Sequence, residues 1–65
     1  MLRGTVAEFD GDAGLGTIES DDGTTYRFHL VEIVDGTRSI ETGRAVAFVP
    51  LPRFGAIEAG SIQKL

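Results

Sequence analysis

The chain has 65 residues, which suits one domain over 1–65, and at that size folding buries only about 60% of the surface the unfolded chain exposes, so the architecture must be compact. It contains no Cys and one His, which excludes disulfides, thiolate metal ligands and a zinc set. A composition of 42% hydrophobic and 25% charged residues is that of a globular domain, and the net charge of -4 argues against a tight, salt-driven grip on phosphates. No apolar run approaches the roughly 18 residues of a membrane helix. The expectation is therefore a cytoplasmic monomer with no membrane partner.

Nine glycines and two prolines cut the chain into short segments, and no apolar stripe of helical period persists, so the reading is all-β. Residues 2–9 are rich in β-compatible types and end at the turn signal Asp10-Gly11-Asp12. Residues 15–19 form a second strand ending at Asp21-Asp22-Gly23, and residues 25–30 a third. Val31-Glu32-Ile33 fits a brief helical turn, after which Asp35-Gly36 opens a loop running to Gly43. Residues 44–51 alternate, with Val46 and Phe48 on one face and Ala47 and Val49 on the other. Pro50 and Pro52 close this strand at an edge or turn, because proline donates no ladder hydrogen bond. Residues 56–63 supply the last strand. Five short strands with no room for a second sheet predict a small antiparallel barrel of the oligonucleotide-binding (OB-fold) type.

Two segments carry more than fold information: Gly14-Leu15-Gly16-Thr17-Ile18 and Tyr26-Arg27-Phe28-His29-Leu30. They resemble the two nucleic-acid-binding motifs of the bacterial cold-shock domain, which read roughly Lys-Gly-Phe-Gly-Phe-Ile and Val-Phe-Val-His-Phe. The resemblance runs through residues 1–33 without a gap, matching Gly4, Val6, Phe9, Gly14, Gly16, Ile18, His29 and Ile33, with Phe28 for a branched aliphatic. It continues in Glu41, Gly43, Val46 and Phe48, and in Glu58-Ala59-Gly60-Ser61-Ile62. It implies a five-stranded cold-shock barrel and the binding of single-stranded RNA or DNA by stacking bases on aromatic side chains.

The departures from the family pattern fall together. Glu8 stands where the family has Trp, and Leu15, Thr17, Arg27 and Leu30 stand where it has Phe. Ala7 and Ala13 replace lysines, the loop after Ile33 is one residue shorter, and Thr37 takes the place of an exposed Phe. Stacking one base on an aromatic side chain is worth about 1–3 kcal/mol, so five lost positions remove on the order of 5 kcal/mol or more. That weakens binding by a factor of several thousand, to about millimolar from the affinity of a tight binder. By family position the binding residues are Phe9, Leu15, Thr17, Arg27, His29 and Leu30. Arg27 and His29 alternate on one strand and so share a face, where a guanidinium plane can itself stack on a base, and Arg53 and Phe54 extend the patch if their turn lies at the rim. The alternative is a protein-interaction or structural module that keeps the barrel and no longer binds nucleic acid.

Other motifs do not develop. Gly14 and Gly16 are followed by no helix signal and no Gly-Lys-Ser/Thr, so they read as strand glycines and not as a phosphate loop. A calcium loop starting at Asp10 would place Leu15 where glycine is required and Asp21 where a glutamate is required, so no metal site is expected. Ser20, Ser39 and Ser61 are scattered and no nucleophile-elbow signature is present, so the chain reads as a non-enzyme without cofactors. Phe54 with Leu51 is either a small apolar patch for a protein partner or a flap folded over the barrel end.

Overall fold

A computed structural model describes residues 1–65. The strands are β1 (Leu2–Asp10), β2 (Leu15–Ser20), β3 (Thr25–His29), β4 (Ala45–Arg53) and β5 (Ala56–Lys64), with one 3-10 turn at Leu30–Glu32 between β3 and β4. They form one antiparallel sheet in the order β3-β2-β1-β4-β5. The sheet curls until its two ends meet: Ile33 bridges Ile62, Val34 N donates to Ile62 O at 3.0 Å, and His29 on β3 faces Glu58 on β5. The all-β barrel expected from the punctuation of the sequence is the fold observed.

The barrel is filled by Val6, Ile18, Phe28, Ile33, Ile40, Val46, Phe48, Ala59 and Ile62, all buried, with Tyr26 packed edge-on against Phe48 at 5.1 Å between ring centres. Two glycines are dictated by close approach. A Cβ at Gly16 would lie 2.5 Å from the Phe28 ring and 2.6 Å from the Glu8 carbonyl oxygen, and one at Gly4 would collide with the Glu19 carbonyl. The strands can press together there only because these residues have no side chain.

Beyond one-residue shifts at strand ends, three features stand out against the sequence expectation. β3 ends at His29, and Leu30 opens the 3-10 turn, its N–H donating to Gly14 O at 2.9 Å. β4 does not stop at Leu51 but runs through both prolines to Arg53. Pairing with β1 ends at Leu2–Phe48, so beyond Phe48 one edge of β4 is free. Pro50 and Pro52, opposite Ala59 and Ile57, turn their donorless nitrogens to that free edge and blunt it against strand addition. The third difference is a bulge at Ala7: Val6 pairs with Ile18 but Glu8 with Thr17, leaving one extra residue in β1.

The long loop 34–44 is held from within by buried Ile40 and at its far end by Gly43 N donating to Val6 O at 2.8 Å. On its surface Asp35 accepts from Thr37 N at 3.0 Å and the Thr37 hydroxyl at 2.8 Å, and pairs with Lys64 at 3.2 Å. These hydrogen bonds, the backbone one foremost, hold the Asp35 carboxyl below its ordinary range, as the Thr24 N–H does for Asp22. A carboxylate whose folded pKa is depressed stabilises the fold fully above its unfolded value near 3.9 and loses that contribution as pH falls through the folded value. The melting temperature is thus expected to be flat from pH 7 to about 5 and to drop below about pH 4. Asp35→Ala should lower it at neutral pH and make the acid drop shallower; an identical acid profile in both proteins would contradict this.

Candidate nucleic-acid interface

The alternation of β1, β2 and β3 sorts their side chains into an inward and an outward set. Inward rows are Phe9–Gly16–Phe28 and Val6–Ile18–Tyr26. Outward rows are Asp10–Leu15–His29, Glu8–Thr17–Arg27 and Thr5–Glu19–Thr25. Side chains directly opposite in such a row stand about 5 Å apart, and successive rows about 7 Å apart. The outward set is thus a nearly continuous open surface. Four of the expected binding residues lie in or beside it as neighbours: Leu15 and His29 are paired across β2 and β3, as are Thr17 and Arg27.

Phe9 and Leu30 are placed differently. The bulge at Ala7 shifts the phase of β1, so Glu8 and Asp10 face outward and Phe9 shares the inward row of Gly16 and Phe28. Its half-buried ring stacks on Phe28 with centroids 6.1 Å apart and planes 5° from parallel. Phe9 still forms part of the lining of the shallow groove between Glu8, Leu15 and Arg27. Leu30, half-buried in the 3-10 turn, packs on the core and lies over Gly14, where a Cβ would meet its Cδ2 at 2.8 Å.

The outward surface is acidic. Within these three rows Glu8, Asp10 and Glu19 have no ion-pair partner, and the one guanidinium, Arg27, is also unpaired. His29 Nε2 lies 3.8 Å from Glu58 Oε1. Asp10 is engaged locally: its Oδ1 accepts from the N–H groups of Asp12 and Ala13, which shapes the β1–β2 turn. These bonds make the acidic Asp10-Gly11-Asp12 run a hydrogen-bonded turn.

One basic residue at this end escaped the sequence reading. Arg38, at φ 61° in the long loop, lines a cleft with Gly14, His29 and Leu30. Thr37 is tied to Asp35 and to Lys64, whose Nζ donates to its hydroxyl at 2.7 Å. The path of this loop is set by the burial of Ile40, a tertiary contact with no local pattern to announce it. No carboxylate lies within ion-pair distance of Arg38.

Strand order, antiparallel pairing and closure of β3 onto β5 define a five-stranded barrel of the oligonucleotide-binding class, with its open face on β1–β3. No protein-family model matches the chain, and no curated protein matches it. Among solved structures, it is similar to Drosophila Unr CSD456, at 25% sequence identity and a TM-score of 0.83 over 98% of its own length. It spans 26% of that chain. The fold is that of a cold-shock domain.

Proposed function

We propose that this chain is a cold-shock-type barrel that binds single-stranded RNA or DNA weakly, through a face in which polar and cationic contacts stand where the family stacks aromatics. The observation that carries this reading is the placement of unpaired Arg27 beside Thr17 and next to the Leu15–His29 pair, on the open face of a cold-shock fold. A guanidinium plane stacks on a base and answers a phosphate, and Arg38 adds a second cation at the His29 end. Glu8, Asp10 and Glu19 oppose phosphate on the same surface, which keeps the affinity low. By its resemblance to cold-shock domains its role is binding, as a chaperone of single-stranded segments in the cytoplasm.

The test is a titration with short oligothymidine and oligouridine at low salt, followed by backbone amide shifts. Saturable shifts grouped on Leu15, Thr17, Arg27 and His29 are expected; no shift at millimolar ligand would sink the proposal. Arg27→Ala and His29→Ala should each weaken binding about 5- to 10-fold, the lower end of one stacking contact. With Arg27 and Arg38 as the phosphate contacts, the logarithmic salt slope should be no steeper than about -1.4.

A further inference from the structure

The tip of the β4–β5 hairpin is unusual on three counts that no packing requirement explains. Arg53 and Ala56 close a two-residue turn in which Phe54 and Gly55 both have positive φ, 48° and 80°. That geometry favours Asn or Asp before Gly, and an aromatic residue there works against the turn. The Phe54 side chain is fully exposed, so the fold does not use it as core. It is not a flap over the barrel end.

The third count is electrostatic. Residues 49–57 contain no carboxylate, and of the two that approach this ribbon Glu32 is paired with Arg53 at 3.3 Å, while Glu58 lies 3.8 Å from His29 Nε2. Glu32 also accepts from Ser61 N at 3.1 Å, which anchors the base of the ribbon to the 3-10 turn. The outward face of β1–β3 carries unpaired Glu8, Asp10 and Glu19, so a polyanion meets less repulsion at the hairpin tip than on the sheet. The ribbon meets the sheet at His29. Glu58, in contact with His29, is two residues from Ala56, a step of about 7 Å along β5.

We propose that Phe54 is a stacking site for a nucleobase, carried at the hairpin tip and reached by a strand that passes His29. An aromatic ring accepts any base on its face, so the site would be tolerant of sequence. This rests on the single-strand reading of the open face and extends the bound path beyond it.

The chain has no Trp, so Phe54→Trp installs a single indole at the tip. Titrated with short oligothymidine at low salt, its fluorescence should be quenched saturably, with an affinity equal to or above that of the unaltered protein. Phe54→Ala and Phe54→Asn should each weaken binding about 5- to 10-fold. Phe54→Asn should melt no lower than the unaltered protein, because the turn prefers Asn. Unchanged affinity in both variants while Arg27→Ala still weakens binding overturns the Phe54 site and leaves the face reading standing. No saturable response anywhere overturns both. Phe54 shifts that follow protein concentration without oligonucleotide would assign the tip to a second copy of the chain, and would also overturn the proposal.

Discussion

Phe28→Ala is expected to leave most of the protein unfolded at 25 °C. A chain of 65 residues has a folding free energy of about 3–10 kcal/mol, with single-core domains this small nearer the lower end. Truncating a buried Phe costs about 3–5 kcal/mol through lost transfer energy and the cavity left behind. Phe28 has no exposed surface, fills the space that Gly16 leaves open, and supports Phe9 by stacking. Gly16 and Phe9 therefore lose contacts at once. The same substitution at exposed Phe54 should change stability by no more than about 0.5 kcal/mol. Urea unfolding of the two variants checks this, and similar midpoints would contradict the assignment of Phe28 to the core.

The second large effect is a gain. Glu8, Leu15 and Thr17 lie on the outward face, with Glu8 paired to Thr17 and Leu15 two residues along β2, so side chains there are about 5–7 Å apart. The combined substitution Glu8→Trp, Leu15→Phe and Thr17→Phe creates three adjacent stacking surfaces and removes one carboxylate. At about 1–3 kcal/mol per stacked base, it should tighten binding of oligothymidine at least about 100-fold, allowing for non-additivity. None of the three replaced side chains belongs to the buried core, so the barrel should persist. Isothermal titration at low salt reads the gain directly; a folded variant that binds no better would show that the outward face is not where single strands sit.

Much of the fold was legible because it depends on local signals. The turns at Asp10-Gly11-Asp12 and Asp21-Asp22-Gly23 delimit β2, and alternation in Arg44-Ala45-Val46-Ala47-Phe48 shows which side chains enter the core. Pro50 and Pro52 signal an edge or turn; they lie on an edge and do not end β4. The reason is that Pro50 and Pro52 both turn their nitrogens away from β5, so that ladder continues undisturbed.

The candidate face was legible only in outline. Leu15, Thr17, Arg27 and His29 follow simple alternation on regular strands, and the structure brings them together. Phe9 does not, because one extra residue at Ala7 reverses the phase of β1, and neither Val6-Ala7-Glu8 nor its neighbours carries a signal for that slip. Arg38 reaches the His29 cleft through a loop whose course depends on Ile40 in the distant core. The solvent exposure of Phe54 depends on a two-residue turn that sequence preference would have filled with a different residue.

The proposed function places weak single-strand binding on a polar and acidic face of a cold-shock barrel. The most direct test is the pair of dissociation constants for short oligothymidine at low salt, measured on the unaltered protein and on the variant carrying Glu8→Trp, Leu15→Phe and Thr17→Phe. The account predicts about millimolar for the first and at least about 100-fold tighter for the second. Micromolar binding by the unaltered protein, with no gain in the variant, would contradict it.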